Sequence, residues 1–279
     1  MAYRSGHAQA IGRQSDPGWA VMAALGDRAA REVRIIPVDG IGEVRRGDDV
    51  AELVVAAARA QGTPIETGDV VVVTQKIVSK AEGRLVALAD VMPSPRALEL
   101  AAALDKDPRL VEVVLRESRR IVRAERGVLI TETRHGFVCA NAGVDSSNVA
   151  GEGYVALLPE DPDASAEAIR RGIRRLSGAE VAVVISDTFG RPWREGHVNV
   201  AVGVAGMSPF IDYVGQTDPY GYVLRVTTMA VADELAAAAE LVMGKLDRVP
   251  VAIVRGYPYQ PGEGRATDMV RPPERDLFR

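Results

Sequence analysis

Apolar and polar residues recur from Val33 onward with the spacings of both strands and helices. VRIIPV at 33–38 reads as a strand, and DVVVVTQ at 69–75 is a continuous apolar run typical of a strand buried on both faces. Between them, GDDVAELVVAAARAQG at 47–62 predicts a helix that begins near aspartates and ends before a glycine. Strand and helix therefore alternate at the start of the ordered pattern.

The middle of the chain is richer in strands. A short strand at 83–88 and helical patterns at 95–104 and 108–118 precede four apolar runs that are separated by short turns. This spacing favours antiparallel pairing. Further on, the pattern predicts a helix at 163–178, a buried strand at 179–187 ending on Asp187, a long loop, a strand at 199–206, a helix near 230–244 and a strand at 249–256.

These elements predict an α+β fold with mixed and antiparallel sheets and flanking helices. We expect residues 33–279 to form one interlocked unit with two lobes at most, because no repeat or low-complexity linker divides them. Residues 1–32 fall outside the pattern, and we interpret them as a partly ordered N-terminal extension.

Composition and charge exclude several classes of protein. The 279 residues are 47% hydrophobic and 26% charged, as in an ordinary globular protein, and the net charge of −4 gives no basic surface for nucleic acid. No apolar run approaches the roughly 20 residues that span a bilayer. The single cysteine, Cys139, cannot form an internal disulfide, which favours the cytoplasm.

Common catalytic motifs are missing from the sequence. There is no Gly-x-Gly-x-x-Gly between a strand and a helix and no Gly-x-x-x-x-Gly-Lys-Ser/Thr loop, so we expect neither a Rossmann fold nor a P-loop. A serine nucleophile elbow is absent, and the three histidines lack zinc-ligand spacing. A bound metal would therefore have oxygen ligands, which points to Mg²⁺ or Mn²⁺.

Two segments after predicted strands are candidates for ligand contact. GIGEV at 40–44 offers small residues over which a ligand can approach the main chain, although the segment taken alone favours a plain strand-to-helix turn. Lys76 and Lys80 follow the buried strand at helical spacing, where their charges repel unless an anion lies between them. Solvated lysines are the alternative interpretation.

Two acidic segments complete the candidate site. CANAGVDSSNVAGEG at 139–153 clusters oxygen-bearing side chains around Asp145, and VVISDTFGRPWREG at 183–196 places Asp187 and Thr188 before two arginines. Each segment alone is compatible with a capped turn. Together with the lysines, they could converge on a magnesium-bound polyphosphate without a P-loop.

The chain closely resembles the coenzyme F420-0:γ-glutamyl ligase family, which also forms the amino-terminal part of a longer actinobacterial version. The resemblance runs from about Ile35 to Phe278. It implies a GTP-dependent ligase that adds L-glutamate through γ-linked amide bonds to the lactyl-phosphate side chain of the deazaflavin coenzyme F420-0. It also implies two divalent metal ions per site (Mg²⁺ or Mn²⁺), an intertwined fold and a homodimer, with K⁺ as a further candidate ion. The matching segments are VVVVTQKIVSKAEGR, NAGVDSSNV, ISDTFGRPWREG, DPYGYVL, VADELAAAAELVMGK and VAIVRG.

The resemblance also implies roles for individual residues. Asp145 and Asp187 match metal-ligating aspartates, and Thr188 matches a contact to the second metal. Lys80, with Arg191 or Arg194, would add positive charge at the transferred phosphate. Glu263 is a further metal candidate in the carboxy-terminal loop. The implied nucleotide contacts are Ile41, Gly42, Glu43, Val44, Gln75, Lys80, Asn148 and Gln260.

Two other functions stay open at the level of sequence. One is a ligase of the same fold that acts on a different carboxylated acceptor. The other is a non-catalytic nucleotide-binding protein, although a pair of carboxylates facing one site has no electrostatic purpose in such a protein.

Overall fold

A computed structural model describes residues 32–147, 149, 151 and 153–277, and residues 1–31 lie outside this description. The described chain mixes helices and strands, which confirms the predicted α+β class. The helices are α1 (Val50–Ala60), α2 (Gln75–Ala81), α3 (Pro95–Leu104), α4 (Pro108–Arg116), α5 (Pro162–Ser177) and α6 (Val231–Met243). The strands are β1 (Arg34–Pro37), β2 (Val70–Thr74), β3 (Leu85–Ala87), β4 (Ser118–Glu125), β5 (Val128–Thr133), β6 (Val138–Ala140), β7 (Tyr154–Ala156), β8 (Ala182–Arg191), β9 (Arg194–Ala205), β10 (Ile211–Asp212), β11 (Thr228–Met229) and β12 (Val251–Arg255).

The main sheet has the strand order β1-β12-β2-β8-β9. β2 and β8 pair in parallel, and the other neighbours pair antiparallel. The four valines of β2, residues 70–73, are fully buried, as their continuous apolar run predicts for a strand covered on both faces. Helices α5 and α6 both pack on β9. This sheet is the centre of the larger hydrophobic cluster.

A second hydrophobic cluster lies in the segment inserted between α2 and α5. It contains the fully buried Leu129 and side chains of α3, α4 and the three-stranded sheet β4-β5-β6. Strands β3 and β7 pair antiparallel at the two ends of this segment: the chain enters the segment through β3 and leaves it through β7. Residues 85–157 are thus folded around their own apolar centre before the chain returns to the main sheet.

Local sequence signals explain where the main helices begin and end. The Asp49 side chain accepts hydrogen bonds from the backbone of α1, and the Asp161 side chain accepts one from Ala164 N at the start of α5. Helix α5 ends at Gly178, whose φ of 77° suits glycine at a helix C-terminus. No helix in the described ranges is both long and apolar enough to cross a membrane.

The long loop predicted after Asp187 is wrong. Strand β8 continues past Asp187 to Arg191 and turns into β9, with Thr188 opposite Asn199 and Gly190 opposite His197. Pro192 and Trp193 form the turn, and Trp193 has a φ of 57°. Proline followed by a residue with positive φ is the arrangement of a type II turn, which closes the hairpin without a glycine. Asp187 therefore lies within a paired strand.

Candidate active site

An open cleft with a volume of about 630 Å³ lies at the carboxyl end of β2 and beside residues 186–188 in the middle of β8. This edge is where sheets with parallel strands tend to bind ligands. A smaller cavity of about 430 Å³ adjoins it and shares Thr188, Asn199, Glu240 and Lys245 with the cleft. Residues of the cleft that bear on its chemistry are Ile41, Gly42, Glu43, Val44, Lys76, Lys80, Asp187, Thr188, Asn199, Glu240, Lys245 and Arg248.

Asp187 has an unusual charge environment. Burial raises the pKa of its carboxyl group to about 7, and the negative charge of Asp145 adds to the increase. The backbone N–H of Thr188, which donates to Asp187 Oδ1 at 2.8 Å, and the charges of Lys76 and Lys245 oppose it. A bound cation would stabilise the charged form of this carboxylate, because it would offset the burial and the repulsion from Asp145.

Asp145 approaches the same cavity system from the inserted segment. Its backbone pairs with Ala156 of β7, which fixes the residue after β6. Burial acts to raise the pKa of its carboxyl group, but the hydrogen bonds from Lys76 and Ser147 lower it below the usual value. Lys76 Nζ lies 2.7 Å from Oδ2, and Ser147 N donates to Oδ1 at 2.7 Å. The lowered pKa favours the charged form of Asp145 beside Asp187.

The oxygen donors of these two aspartates fit a hard divalent cation. Within the described part of the chain, no group of three or more His, Cys, Asp or Glu side chains is arranged to hold a metal. A Mg²⁺ ion bound with a nucleotide, however, usually takes only one or two carboxylates from the protein. Water and phosphate oxygens complete its coordination. Asp145 and Asp187 would hold such an ion, and Lys76 would have to give up part of its contact with Asp145.

The two lysines of α2 each have a carboxylate partner of their own. Lys76 contacts Asp145, and the buried Lys80 donates from Nζ to Glu43 Oε1 at 2.6 Å. The separate partners resolve the repulsion that their spacing implied. Lys80 thereby joins α2 to residues 41–44, and no heavy atom within 4 Å would meet a Cβ at Gly42. The main chain at Gly42 is open to an approaching ligand.

Four hydrogen-bonded residues line both cavities, and sequence reasoning identified only Thr188 among them. The three it missed are Asn199, Glu240 and Lys245. Lys245 Nζ donates to Thr188 Oγ1 at 2.6 Å, and Thr188 Oγ1 donates to Asn199 Oδ1 at 2.7 Å. Asn199 Nδ2 donates in turn to Glu240 Oε2 at 2.8 Å. A polar residue opening the apolar run of β9, and a lysine directly after the glycine that ends α6, were the available signals. Nothing in the sequence indicated Glu240, because a glutamate on a helix is ordinarily exposed to solvent.

Several predicted site residues lie away from the cleft. Gln75 is fully buried, and its Oε1 accepts from Ser79 Oγ at 2.8 Å. Arg191 and Arg194 lie at the turn of the hairpin, four or more residues beyond Asp187, which is about 13 Å or more along a strand. Arg191 Nη2 donates to the Glu195 carbonyl at 2.6 Å. These residues are outside the lining of the cleft, so their proposed contacts stay predictions.

The carboxy-terminal loop also lies elsewhere. Ser208 N donates to the Gln260 carbonyl, and Pro261 pairs with Met207, just after the end of β9. The last residue of β9, Ala205, pairs with Val183 near the start of β8. Asp187 lies four residues further along β8, toward the other end of the strands. Within one chain, Gln260 and Glu263 are therefore at the other end of the sheet from the cleft. Asn148 lies outside the described residues.

The fold and the site together define an α+β protein with a cleft lined by both carboxylates and lysines. The chain belongs to the F420-0:gamma-glutamyl ligase family, whose model matches residues 40–256. It is 50% identical over 250 residues to the coenzyme F420:L-glutamate ligase of Methanothermobacter thermautotrophicus, covering 88% of this chain and 99% of that protein. The ligase of the same name from Methanopyrus kandleri is 49% identical over 252 residues, with 88% and 98% covered. The Archaeoglobus fulgidus protein of that name is 43% identical over 248 residues, with 88% and 96% covered.

Proposed function

We propose that this chain is a GTP- and divalent-metal-dependent ligase that adds L-glutamate, through γ-linked amide bonds, to the side chain of coenzyme F420-0. Family membership supports the reaction. The observation that carries the proposal is the convergence of Asp145 and Asp187 on one cavity system that also contains lysines. A cleft with paired carboxylates and cations suits a nucleotide triphosphate and its metal ion.

Amide formation requires an activated carboxylate, because a free carboxylate is a poor acyl donor. In the proposed sequence, the acceptor carboxylate takes the γ-phosphoryl group of GTP, giving an acyl phosphate and GDP. The α-amine of glutamate then attacks the acyl carbon, so that a C–N bond forms, the C–O bond to phosphate breaks and the amine loses a proton. A divalent ion held by Asp145 and Asp187 would screen the charge of the phosphate oxygens.

Other side chains would bind and orient the substrates. Residues 41–44 offer open main chain for the nucleotide, and Lys80, held by Glu43, would bring positive charge toward its phosphates. The smaller cavity, lined by Asp145, His197 and Lys245 among others, has both signs of charge, as an amino acid requires. We assign the larger cleft to GTP and the smaller cavity to glutamate and the acceptor carboxylate.

The direct test is incubation of the purified chain with F420-0, L-glutamate, GTP and Mn²⁺, followed by mass spectrometry of the coenzyme. We expect mass increments of one or more glutamyl units that require both GTP and metal. The number of increments also gives the length of the glutamyl tail. GTP hydrolysis without a change in the coenzyme would favour a different carboxylated acceptor, and absence of both would favour a nucleotide-binding protein.

Replacing Asp187 tests the site itself. Asp187→Ala should lower the rate of glutamate addition by roughly 10²-fold or more, because it removes one of two carboxylates that face the metal and phosphates. Glu99→Ala is the matched control, since Glu99 forms only an exposed ion pair with Arg96 on α3. Near-normal turnover of the Asp187 variant would contradict the assignment.

A further inference from the structure

The turn of the β8–β9 hairpin carries an exposed tryptophan in an unfavourable backbone conformation. Trp193 is 81% exposed, although tryptophan is highly buried on average. Its φ of 57° lies in the left-handed region, and this position of a type II turn favours glycine or asparagine. Neither burial of the ring nor the preference of the turn accounts for a tryptophan here. An aromatic side chain held in such a position is therefore a candidate for ligand contact.

The two faces of this hairpin differ. Phe189 packs edge-on against Phe137, with ring centroids 6.5 Å apart, and so holds one face on the protein. Side chains alternate along a strand, so Thr188 and Gly190 lie on the other face, where Thr188 lines both cavities. Gly190 pairs with His197, which lines the smaller cavity, and no heavy atom lies within 4 Å of a Cβ at Gly190. This second face is therefore open from the smaller cavity outward.

A bulge sets the conformation of the hairpin between this open face and the turn. The pair after Gly190 is Arg191 with Arg194, so β9 gains two residues, 195 and 196, over β8. Gly196 has a φ of 82°, as in bulges that place a glycine in the left-handed region. Arg191 Nη2 donates across the bulge to the Glu195 carbonyl at 2.6 Å. Bulges beside active sites bend the strand and redirect its side chains, so the turn has a defined position relative to the cavities.

The two cavities leave part of the acceptor to be bound elsewhere. The larger cleft is assigned to GTP, and the smaller cavity, at about 430 Å³, to glutamate and the acceptor carboxylate. The deazaflavin rings are joined to that carboxylate through a phosphate-bearing side chain, so they must lie outside the smaller cavity. The hairpin leads outward from this cavity, and its turn lies about 13 Å or more beyond Asp187 along the strand.

We propose that the open face of the β8–β9 hairpin, from His197 to the turn, binds the deazaflavin rings of the acceptor and that Trp193 stacks on them. This inference rests on the proposed function, which places the acceptor carboxylate in the smaller cavity. Aromatic side chains stack on flat ring systems of this kind. The turn also carries Arg191 and Arg194 against one glutamate, Glu195, so its net positive charge suits the anionic phosphate of the acceptor side chain.

The first measurement is tryptophan fluorescence of the full-length chain. The chain has two tryptophans, Trp19 and Trp193, so Trp19→Phe leaves Trp193 as the only tryptophan emitter. Coenzyme F420-0 is titrated without GTP or glutamate, and we expect the emission to be quenched as the rings cover the indole. Calorimetry on the same protein gives the binding constant independently. Binding of F420-0 without quenching would overturn the inference, and this holds even if other variants fail to fold.

Substitutions at Trp193 separate stacking from folding. Trp193→Ala should weaken F420-0 binding roughly tenfold, and Trp193→Phe, which keeps an aromatic ring, should recover most of the affinity. Trp193→Gly should weaken binding as much as Trp193→Ala, but its thermal unfolding midpoint should be no lower than that of the wild type, because glycine suits the positive φ. Met92→Ala is the matched control: Met92 is 82% exposed, lies on the inserted segment and should leave binding unchanged.

The outcomes distinguish this inference from the ligase proposal. In steady-state assays, Trp193→Ala should raise KM for F420-0 about tenfold and leave KM for GTP unchanged. Wild-type affinity for F420-0 in Trp193→Ala would overturn the inference and leave the ligase proposal intact. A wild-type chain that does not bind F420-0 would overturn both. Light scattering tests the other occupant of this face: a lower molecular mass of Trp193→Ala would assign the tryptophan to contact between two copies of the chain and overturn the inference.

Discussion

At the scale of single residues, Asp187 shows how the site costs stability in the metal-free protein. Its carboxyl group is surrounded by protein and faces Asp145, so the ionised form is disfavoured and the pKa rises to about 7. In the unfolded chain the same group ionises near pH 4. Between these two values the folded state binds a proton that the unfolded state does not, so stability must fall as the pH rises through this window.

Asp187→Asn should remove that pH dependence. In the presence of EDTA, we expect the variant to be more stable than the wild type at pH 8, by roughly 2–4 kcal/mol at about 1.4 kcal/mol per pKa unit. The difference should shrink toward pH 4, where the wild-type carboxyl is protonated in the folded state as well. Urea unfolding at pH 4, 6 and 8 measures it. Parallel stability curves for the two proteins would mean that Asp187 does not carry the shift.

Asn199 is the buried centre of the series from Lys245 to Glu240. Asn199→Ala should destabilise the chain by about 1–3 kcal/mol, because the Thr188 hydroxyl and the Glu240 carboxylate both lose a hydrogen-bond partner. The matched test is the double variant Asn199→Asp with Glu240→Gln, which exchanges donor and acceptor and should recover most of the loss. Urea unfolding midpoints give both values. A double variant no more stable than Asn199→Ala would contradict this exchange of donor and acceptor.

At the scale of elements, apolar periodicity predicted most strands and helices but not how far β8 extends. Residues 188–191, TFGR, contain a glycine and are followed directly by a proline, so they resemble the start of a loop. They form a strand because β9 supplies a partner for each of them. Pairing of this kind is tertiary information that a single strand's composition does not contain. The same extension moved Arg191 and Arg194 away from the cleft.

Contact between α5 and the main sheet depends on one glycine of β9. A Cβ on Gly203 would lie 2.4 Å from the carbonyl oxygen of Pro162, the first residue of α5. Gly203→Ala should therefore force the helix away from the sheet and lower the free energy of unfolding by about 1–3 kcal/mol or more. Gly190→Ala is the control, because no heavy atom lies within 4 Å of a Cβ there. Equal thermal unfolding midpoints of the two variants would contradict this close approach.

At the scale of the whole molecule, the site combines two parts of the chain with separate apolar centres. Asp145 comes from the inserted segment, while Asp187, Thr188 and Lys80 come from the main sheet and α2. The sequence could nominate Asp145 and Asp187 as acidic residues in turn-forming segments. It could not predict Asn199, Glu240 or Lys245 beside them, because their convergence depends on the packing of α6 against β9. The homodimer, K⁺ and the cytoplasmic location stay predictions.

Because the site combines residues from two parts of the chain with separate apolar centres, a mutation in one apolar centre should affect metal binding and nucleotide binding unequally. Leu129 is fully buried in the second cluster, on β5, which pairs with the strand that leads to Asp145. Leu129→Ala should cost about 2–5 kcal/mol of stability. Because Asp145 depends on this segment, we expect Mn²⁺ affinity to fall several-fold. GDP binding without metal, which we assign to residues 41–44 and Lys80, should change little.

Ile173→Ala provides the comparison that isolates this effect. Ile173 is also fully buried but lies on α5 in the first cluster, so a similar loss of stability should leave Asp145 in place. Both variants are measured below their unfolding transitions, with Mn²⁺ binding followed by electron paramagnetic resonance and GDP binding by calorimetry. If Ile173→Ala weakened Mn²⁺ binding as much as Leu129→Ala, general destabilisation would explain the result. A selective effect of Leu129→Ala would show that the inserted segment positions one half of the metal site.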